Sequence, residues 1–157
     1  MGDALAVCLQ TARQFTDRDF AKYHPGGALG KQLYLKVSDL SDNNGTPSVR
    51  STENIRQTII TITKHRLGAT AVIENDQIIG IITDGDIRRM LENHEDLTAL
   101  TASAIMSVSP KVIDAEELAV NALQTMRENN ISQLLVTKNN VYSGIIHIQD
   151  LLKEGII

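Results

Sequence analysis

An internal repeat within residues 49–157 restricts the fold of this chain more than any other feature of the sequence. Matching positions recur at a constant separation of 64 residues. The pairs are Ile55 and Ala119, Ile59 and Leu123, Ile62 and Met126, Gly80 and Gly144, and Asp86 and Asp150. Self-similarity at one period indicates that a supersecondary unit occurs twice.

In the first copy, a short strand near Val49 precedes a helix with Asn54 at its start, in which Ile55, Ile59 and Ile62 recur at helical spacing. Later elements of this copy are predicted at residues 70–73 (strand), 77–82 (strand) and 87–91 (helix).

The second copy repeats this order, with a helical stripe that includes Ala119, Leu123 and Met126. Its strands are predicted at residues 112–113, 131–136 and 141–146, and its closing helix begins at Asp150. Each copy therefore reads β-α-β-β-α. A unit this small buries its apolar sheet face poorly alone. We expect an α+β (or α/β) fold in which two units pack sheet to sheet with pseudo-twofold symmetry, leaving a cleft for a ligand.

The N-terminal part differs from the repeat. Residues 1–15 are apolar nearly all round, which predicts a helix buried on several sides. Cys8, the single cysteine, lies in this helix and excludes an internal disulfide. A glycine-rich bend follows at residues 24–30, and residues 41–48 have the composition of a linker.

Composition excludes several classes of function. The net charge of -4 and the aromatic content of 3% argue against a nucleic-acid-binding surface. No apolar run reaches the roughly 18 residues of a membrane span, and no secretory signal is present, so we expect a cytoplasmic protein. The four histidines show no metal-ligand spacing, and neither a metal nor a cofactor is predicted.

Three segments resemble a pair of CBS (cystathionine β-synthase type) domains: GIITDGDIRRML, IMSVSP and GIIHIQDLLKEGI. The N-terminal segments MGDALAVCLQTARQF, DFAKYHPGGALGKQL and KVSDL are similar to the D-arabinose-5-phosphate isomerases, which join a sugar isomerase (SIS) domain to a CBS pair. Ser41 departs from that family, which usually has methionine there.

The resemblance implies three parts: the last helix and tail of a SIS domain (1–34), a first CBS module (35–96) and a second CBS module (97–157). It also implies that the catalytic body lies upstream, so we expect no isomerase activity from these 157 residues alone. His24 matches an active-site histidine of the family and is expected to be idle without its catalytic partners. The family converts D-ribulose 5-phosphate to D-arabinose 5-phosphate, toward the lipopolysaccharide sugar Kdo.

The first candidate ligand site follows the CBS motif from Gly80 to Asp86. Gly80 would let a ligand approach the backbone, Thr83 offers a hydroxyl, and Asp86 can accept hydrogen bonds from ribose hydroxyls. Arg88 and Arg89 add two guanidinium groups that suit phosphate. The alternative is that Thr83 and Asp86 only cap the helix.

The second candidate site has His147 in place of threonine and keeps Asp150. Thr70 and Ser132 open the central strands and could face the cleft. For these residues, ordinary surface or strand-edge polarity is the competing interpretation.

The resemblance further implies a nucleotide or nucleotide-sugar effector. CMP-Kdo, as a pathway product, is the first candidate, and AMP and ATP are alternatives. We expect a homodimer of CBS pairs, within a tetramer in the parent enzyme. The competing hypothesis is a ligand-free module that stabilises the isomerase assembly.

Overall fold

A computed structural model describes residues 27–156. The predictions for the N-terminal helix, Cys8 and His24 lie outside these residues. The elements of the first half are α1 (Ala28–Tyr34), α2 (Val37–Ser41), β1 (Ser48–Arg50), α3 (Ile55–His65), β2 (Ala69–Glu74), β3 (Gln77–Thr83) and α4 (Asp84–Asn93). Those of the second half are α5 (Ala102–Ile105), β4 (Ser107–Val108), β5 (Val112–Asp114), α6 (Ala119–Asn129), β6 (Gln133–Lys138), β7 (Val141–His147) and α7 (Ile148–Lys153).

The strands form two mixed sheets with the same arrangement. The first sheet has the order β1-β2-β3-β4 and the second β5-β6-β7. In each, the first pair of strands is parallel and the next pair is an antiparallel hairpin with one irregularity in its register. The register itself is repeated, since Ser48 pairs with Ala71 and Val112 with Leu135, each 64 positions later. The predicted duplication of a β-α-β-β-α unit is confirmed.

The hairpin turns explain why the strands end where they do. Asn75 and Asp76 have positive φ angles, as do Asn139 and Asn140 in the second copy. Two-residue hairpin turns with this backbone favour Asn and Asp, because their short polar side chains tolerate the left-handed region.

The two sheets pack face to face through small and branched apolar side chains. Ala69 and Ala71 of β2 contact Leu135 of β6 and Ile145 of β7 in one cluster, and all four are fully buried. The predicted sheet-to-sheet packing is thus present. Apolar atoms fill the centre of the interface between the sheets. Polar groups that could bind a ligand therefore lie only at the edges of this interface.

Each half completes its core with a helix that comes from the other half. Helix α2 packs in the core of the second half, where the Val37 N–H donates to the Glu117 carbonyl at 2.8 Å. Helix α5 packs in the core of the first half, where the Ala102 N–H donates to the Glu53 carbonyl at 2.8 Å. This reciprocal exchange is the arrangement that a twofold relation between the halves requires.

Candidate functional site

The first candidate site is built at the junction of β3 and α4. Thr83 is the N-cap of α4, and its side chain accepts a hydrogen bond of 3.3 Å from the Asp86 N–H. Oδ2 of Asp86 in turn accepts from the Thr83 N–H at 2.8 Å and from the Thr83 hydroxyl at 2.6 Å. This reciprocal capping box fixes the orientation of the Asp86 carboxylate. Thr83 and Asp86 therefore do cap the helix, which was the alternative to a ligand-binding role.

The second oxygen of Asp86 is bonded by the side chains of two exposed residues. Oδ1 accepts from Nη2 of Arg89 at 2.6 Å and from the Ser107 hydroxyl at 3.2 Å. Ser107 is exposed and belongs to β4, opposite Ile81 of β3. Both donors are therefore accessible to a ligand that approaches Asp86 from outside.

The charge of Asp86 is stabilised by these donors. Burial raises the pKa of the Asp86 carboxyl, but hydrogen bonds from Thr83, Arg89 and Ser107 outweigh it, and the pKa lies below its ordinary value. The carboxylate is ionised at neutral pH. It can therefore accept hydrogen bonds from the hydroxyl groups of a ligand.

The corresponding junction of β7 and α7 forms the second candidate site. The His147 N–H donates to Oδ2 of Asp150 at 3.0 Å, and Nδ1 of His147 accepts from the Gln149 N–H at 3.0 Å. Burial lowers the pKa of His147 below its ordinary value, partly offset by the nearby Asp150 charge. His147 is therefore a neutral N-cap, with Nδ1 unprotonated.

Asn44 completes the second site, and sequence reasoning missed it. Its side-chain N–H groups donate to Oδ2 of Asp150 at 2.7 Å and to the Ile145 carbonyl at 3.0 Å. Lys153 lies 3.9 Å from the other Asp150 oxygen.

Asn44 bonds Oδ2 of Asp150, the oxygen that the Thr83 hydroxyl bonds on Asp86, whereas Ser107 bonds the other oxygen, Oδ1, of Asp86. Asn44 and Ser107 both lie in segments outside the helix-strand repeat. Only their polar side chains could therefore have indicated, from the sequence, that they belong to a site.

Two predicted site residues have roles other than the expected ones. Thr70 does not face the other sheet, because it pairs with Ile82, which belongs to the helix-facing core, and it is fully buried there. Gly80 was expected to admit a ligand, but a Cβ at Gly80 would lie 2.6 Å from Sδ of Met106. The missing side chain makes room for Met106 instead.

Arg88 and Ser132 are both exposed. Within residues 27–156, neither side chain has a hydrogen bond or ion pair. The Ser132 carbonyl accepts from the Ile148 N–H at 2.9 Å, which positions the start of α7. The structure thus brings Thr83, Asp86 and Arg89 together, and separately His147 and Asp150.

The cavity beside Asp86 has a volume of about 160 Å³. It is lined by Asp86, Arg89, Met90, Asn93, His94, Ala104 and Ile105. Ligand pockets usually measure at least about 300 Å³, so a nucleotide would need Arg89 to move outward. A larger depression of about 750 Å³ lies at the ends of β1 and β2 and contains none of the predicted site residues.

The described residues offer neither a cluster of metal-binding side chains nor a helix that could cross a membrane. Residues 27–156 contain no group of three His, Cys, Asp or Glu side chains that could hold a metal ion. Over the same residues, no helix has the length and apolarity needed to span a bilayer.

Comparison with known proteins agrees with the architecture. A model of the CBS domain matches residues 37–93 and 102–156. Arabinose 5-phosphate isomerase KdsD of Francisella tularensis is 42% identical over 98% of this chain and 47% of its own length. KdsD of Escherichia coli is 38% identical over the whole chain and 48% of its own length. The chain spans about half the length of these curated relatives.

Solved structures show the same fold at low sequence identity. The CBS domain protein PAE2072 from Pyrobaculum aerophilum, complexed with AMP, has a TM-score of 0.67 at 23% identity, covering 74% of this chain and 90% of that one. The CBS-domain protein ATU1752 from Agrobacterium tumefaciens has a TM-score of 0.68 at 22% identity, covering 77% of this chain and 93% of that one.

Proposed function

The chain belongs to the CBS domain family, with one module in each half, and from this premise we propose that it is a regulatory module that binds a nucleotide beside Asp86. The proposed parts are residues 1–34 as the tail of a SIS domain, 35–96 as the first module and 97–157 as the second. The parent protein would be a D-arabinose-5-phosphate isomerase, with its catalytic residues outside this chain.

The observation that carries this proposal is the fixed, ionised Asp86 carboxylate at the edge of the interface. Its side chain is only 6% exposed, yet Oδ1 is bonded to two accessible donors. A ribose hydroxyl can replace either donor on Oδ1. The released Arg89, together with Arg88, can then bind a phosphate through paired N–H groups.

The ligand class follows from this combination of an acceptor for hydroxyls and two guanidinium groups. A nucleoside phosphate carries both a diol and an anion. PAE2072, which shares the fold, is complexed with AMP. The similarity to KdsD isomerases makes the nucleotide sugar CMP-Kdo the first candidate, because feedback by a pathway product would use a regulatory module. Regulation requires that the ligand bind two geometries of the modules with different affinity.

Calorimetric titration of the chain with CMP-Kdo, CMP, AMP and ATP tests the proposal. We expect at least one to bind, and Asp86→Asn and Arg89→Ala each to weaken it about tenfold or more, the loss of one charge-assisted hydrogen bond. Arg127→Ala, an exposed arginine on α6, is the matched control and should bind as the unaltered chain does. Flat heats for all four nucleotides at near-millimolar concentration would contradict nucleotide sensing.

A second candidate function, ligand-free oligomerisation, is favoured by one surface. A groove of about 350 Å³ beside α3 is almost entirely apolar. It is lined by Ile55, Arg56, Ile59, Ile60, Leu97 and Thr98. Exposed apolar surface of this kind is a typical interaction site.

Sedimentation velocity separates this candidate from sensing. Two results together would favour ligand-free oligomerisation: the chain forms an oligomer that Ile60→Glu dissociates, and this oligomer binds none of the four nucleotides. Thr63→Glu adds the same charge to an exposed position of α3 and is the control.

A further inference from the structure

The apolar groove beside α3 lies at the surface of the part of the chain that the structure describes, and Ile60 in its wall is 47% exposed. We propose that this groove binds residues 1–15 of this chain, the apolar segment for which the sequence predicts a helix. The groove is thus an interaction surface for the chain's own N-terminal segment. This docking is independent of nucleotide binding at Asp86.

The second half of the molecule shows what covers the corresponding face of its own helix. Helix α1 packs against α6, and the Ala119 N–H at the start of α6 donates to the Leu35 carbonyl, directly after α1, at 2.8 Å. Lys31 of α1 also forms an ion pair with Glu154, with Nζ and Oε2 2.9 Å apart. A helix from the N-terminal part of the chain is therefore bound to α6.

The first half has the corresponding surface without such a helix. Two isolated bridges relate the halves, one between Lys36 and Leu118 and the other between Asn54 and Thr101. The residues before Thr101 therefore take the position that α1 has before Lys36. Between α4 and α5, however, these residues form no helix, and Leu97 among them lines the groove. The first half can accommodate a helix that its own residues do not supply.

The side chains on this face of α3 are also more apolar and less buried than their counterparts on α6. Ile59 and Ile60 match Leu123 and Gln124. Leu123 is only 4% exposed, whereas Ile59 is half-buried and Ile60 is largely accessible. A contiguous apolar surface of this kind indicates a site that a partner covers.

Residues 1–15 have the spacing and the charge that suit this groove. Four of their apolar residues recur at i, i+3, i+4 and i+7, the spacing by which a helix anchors in an apolar groove. We call them the anchor residues: Leu5, Cys8, Leu9 and Ala12. The one charged side chain among residues 1–12 is Asp3, and the one among the groove's six lining residues is Arg56. The two charges are opposite in sign.

The connection between this segment and α1 is long enough for the docking. Residues 16–27 are 12 residues, and an extended chain of that length spans up to about 40 Å. A compact unit the size of the described part has a radius of gyration of about 14 Å. The segment can therefore reach α3 of its own chain or of a second copy, and the same side chains fill the groove in either case.

The groove adjoins the helix of the candidate nucleotide site. Leu97 lies four residues after the end of α4, which carries Asp86 and Arg89. Under the proposed function, residues 1–15 end a SIS domain, and the groove would be where that domain contacts the first module. Because the segment is apolar nearly all round, its other faces remain available to the SIS domain. This consequence rests on the proposed function, whereas the docking does not.

A nitroxide spin label on the segment tests where it lies. In Cys8→Ala/Gln10→Cys, the label is attached at position 10, on the opposite side of the predicted helix from the anchor residues. No other thiol competes, because Cys8 is the single cysteine. We expect the label to broaden the methyl NMR signals of Ile59 and Ile60 more strongly than those of Val136, in the core of the second half.

Reduction of the label should restore the signals. A mixture of spin-labelled chains and isotope-labelled chains then shows whether the segment comes from the same chain or from a second copy. Strongest broadening in the second half, or no broadening, would overturn the proposal.

The rate at which Cys8 reacts with a thiol reagent is a second measurement, made with the segment unaltered. Ile60→Glu should raise this rate about tenfold or more, because docking would bury an unpaired carboxylate against the apolar anchor residues. Thr63→Glu adds the same charge at an exposed position of α3 that does not line the groove, and should leave the rate unchanged. A rate that Ile60→Glu does not change would show that Cys8 is not in the groove.

One further outcome would identify a different occupant. If Ile60→Glu dissociates a dimer while the label leaves the signals of Ile59 and Ile60 sharp, α3 of a second copy fills the groove and the proposal fails. Neither measurement contains a nucleotide. A failure of nucleotide binding at Asp86 would therefore leave the docking of residues 1–15 intact.

Discussion

Arg89 and Asp86 form an ion pair with Nη2 and Oδ1 2.6 Å apart, in which 65% of the arginine side chain but only 6% of the aspartate side chain is exposed. The two partners are therefore unequal. Asp86 is fixed by Thr83 at its other oxygen, whereas Arg89 is a largely solvated cation. This asymmetry makes the carboxylate a structural element and the guanidinium a movable one.

The first prediction compares the two partners. Arg89→Ala should lower the free energy of unfolding by about 0.5–1 kcal/mol, because ion pairs with a solvated partner contribute little. Asp86→Ala should lower it by about 2–3 kcal/mol, because it removes the capping box and leaves the Thr83 N–H without its acceptor. Urea denaturation at pH 7 measures both. Equal costs would show that Arg89 is as fixed as Asp86.

The second prediction concerns acid pH. The pKa of Asp86 is lower in the folded chain than its ordinary value of 3.8. The unfolded chain therefore binds the proton more readily, and this contribution to stability is present above about pH 4 and is lost as the pH falls through the folded pKa. Asp86→Asn should remove that part of the acid dependence. Unfolding free energies between about pH 5 and 2 test this, and parallel curves for the two proteins would contradict it.

The third prediction concerns His147, whose folded pKa lies below its ordinary value of 6.5. The unfolded chain takes up the proton first, so stability falls as the pH drops below about 6.5 toward the folded pKa. Protonation of Nδ1 would also remove the acceptor for the Gln149 N–H. His147→Thr keeps an N-cap, as Thr83 does in the first half, and should flatten the curve between about pH 6.5 and 5.

The control for this experiment is His94→Thr, because His94 is exposed at the end of α4. It should leave the pH dependence of stability close to that of the unaltered chain. Direct NMR titration of His147 provides the second check, since a midpoint at or above 6.5 would remove the basis of the prediction.

The topology could be predicted because the sequence signals that determine it act over short distances along the chain. The apolar stripe of α3 and the turn residues at 75–76 and 139–140 each act over a few neighbours, and the repeat doubles the signal. Strand ends were less accurate. Strand β2 begins at Ala69 instead of Thr70, and β6 at Gln133 instead of Ile131.

Only those contacts of the site that join residues close together in the sequence could be predicted. Thr83 and Asp86 are three residues apart and interact through a capping motif, which the sequence indicates directly. Asn44 and Asp150 are 106 residues apart, and Asn44 lies in the segment that was interpreted as a linker. Such contacts depend on the exchange of α2 and α5 between the halves. No local pattern in the sequence indicates that exchange.

The fourth prediction uses the contact between Gly80 and Met106, where a Cβ would lie 2.6 Å from Sδ and 3.0 Å from Cγ. Gly80→Ala should cost about 1–3 kcal/mol of unfolding free energy through overpacking. Met106→Ala, which removes a partly buried side chain from the core of the first half, should cost a similar amount.

The double variant should be more stable than the sum of the two changes implies, by about 1 kcal/mol, because Met106→Ala vacates the space that the new methyl group needs. Gly80→Ala combined with Leu152→Ala, an exposed residue of α7, should be additive. Chemical denaturation of the four proteins of each cycle gives both coupling energies. Additivity in the Met106 cycle would mean that Gly80 is present for another reason, and close approach of a ligand to the backbone would again be the leading explanation.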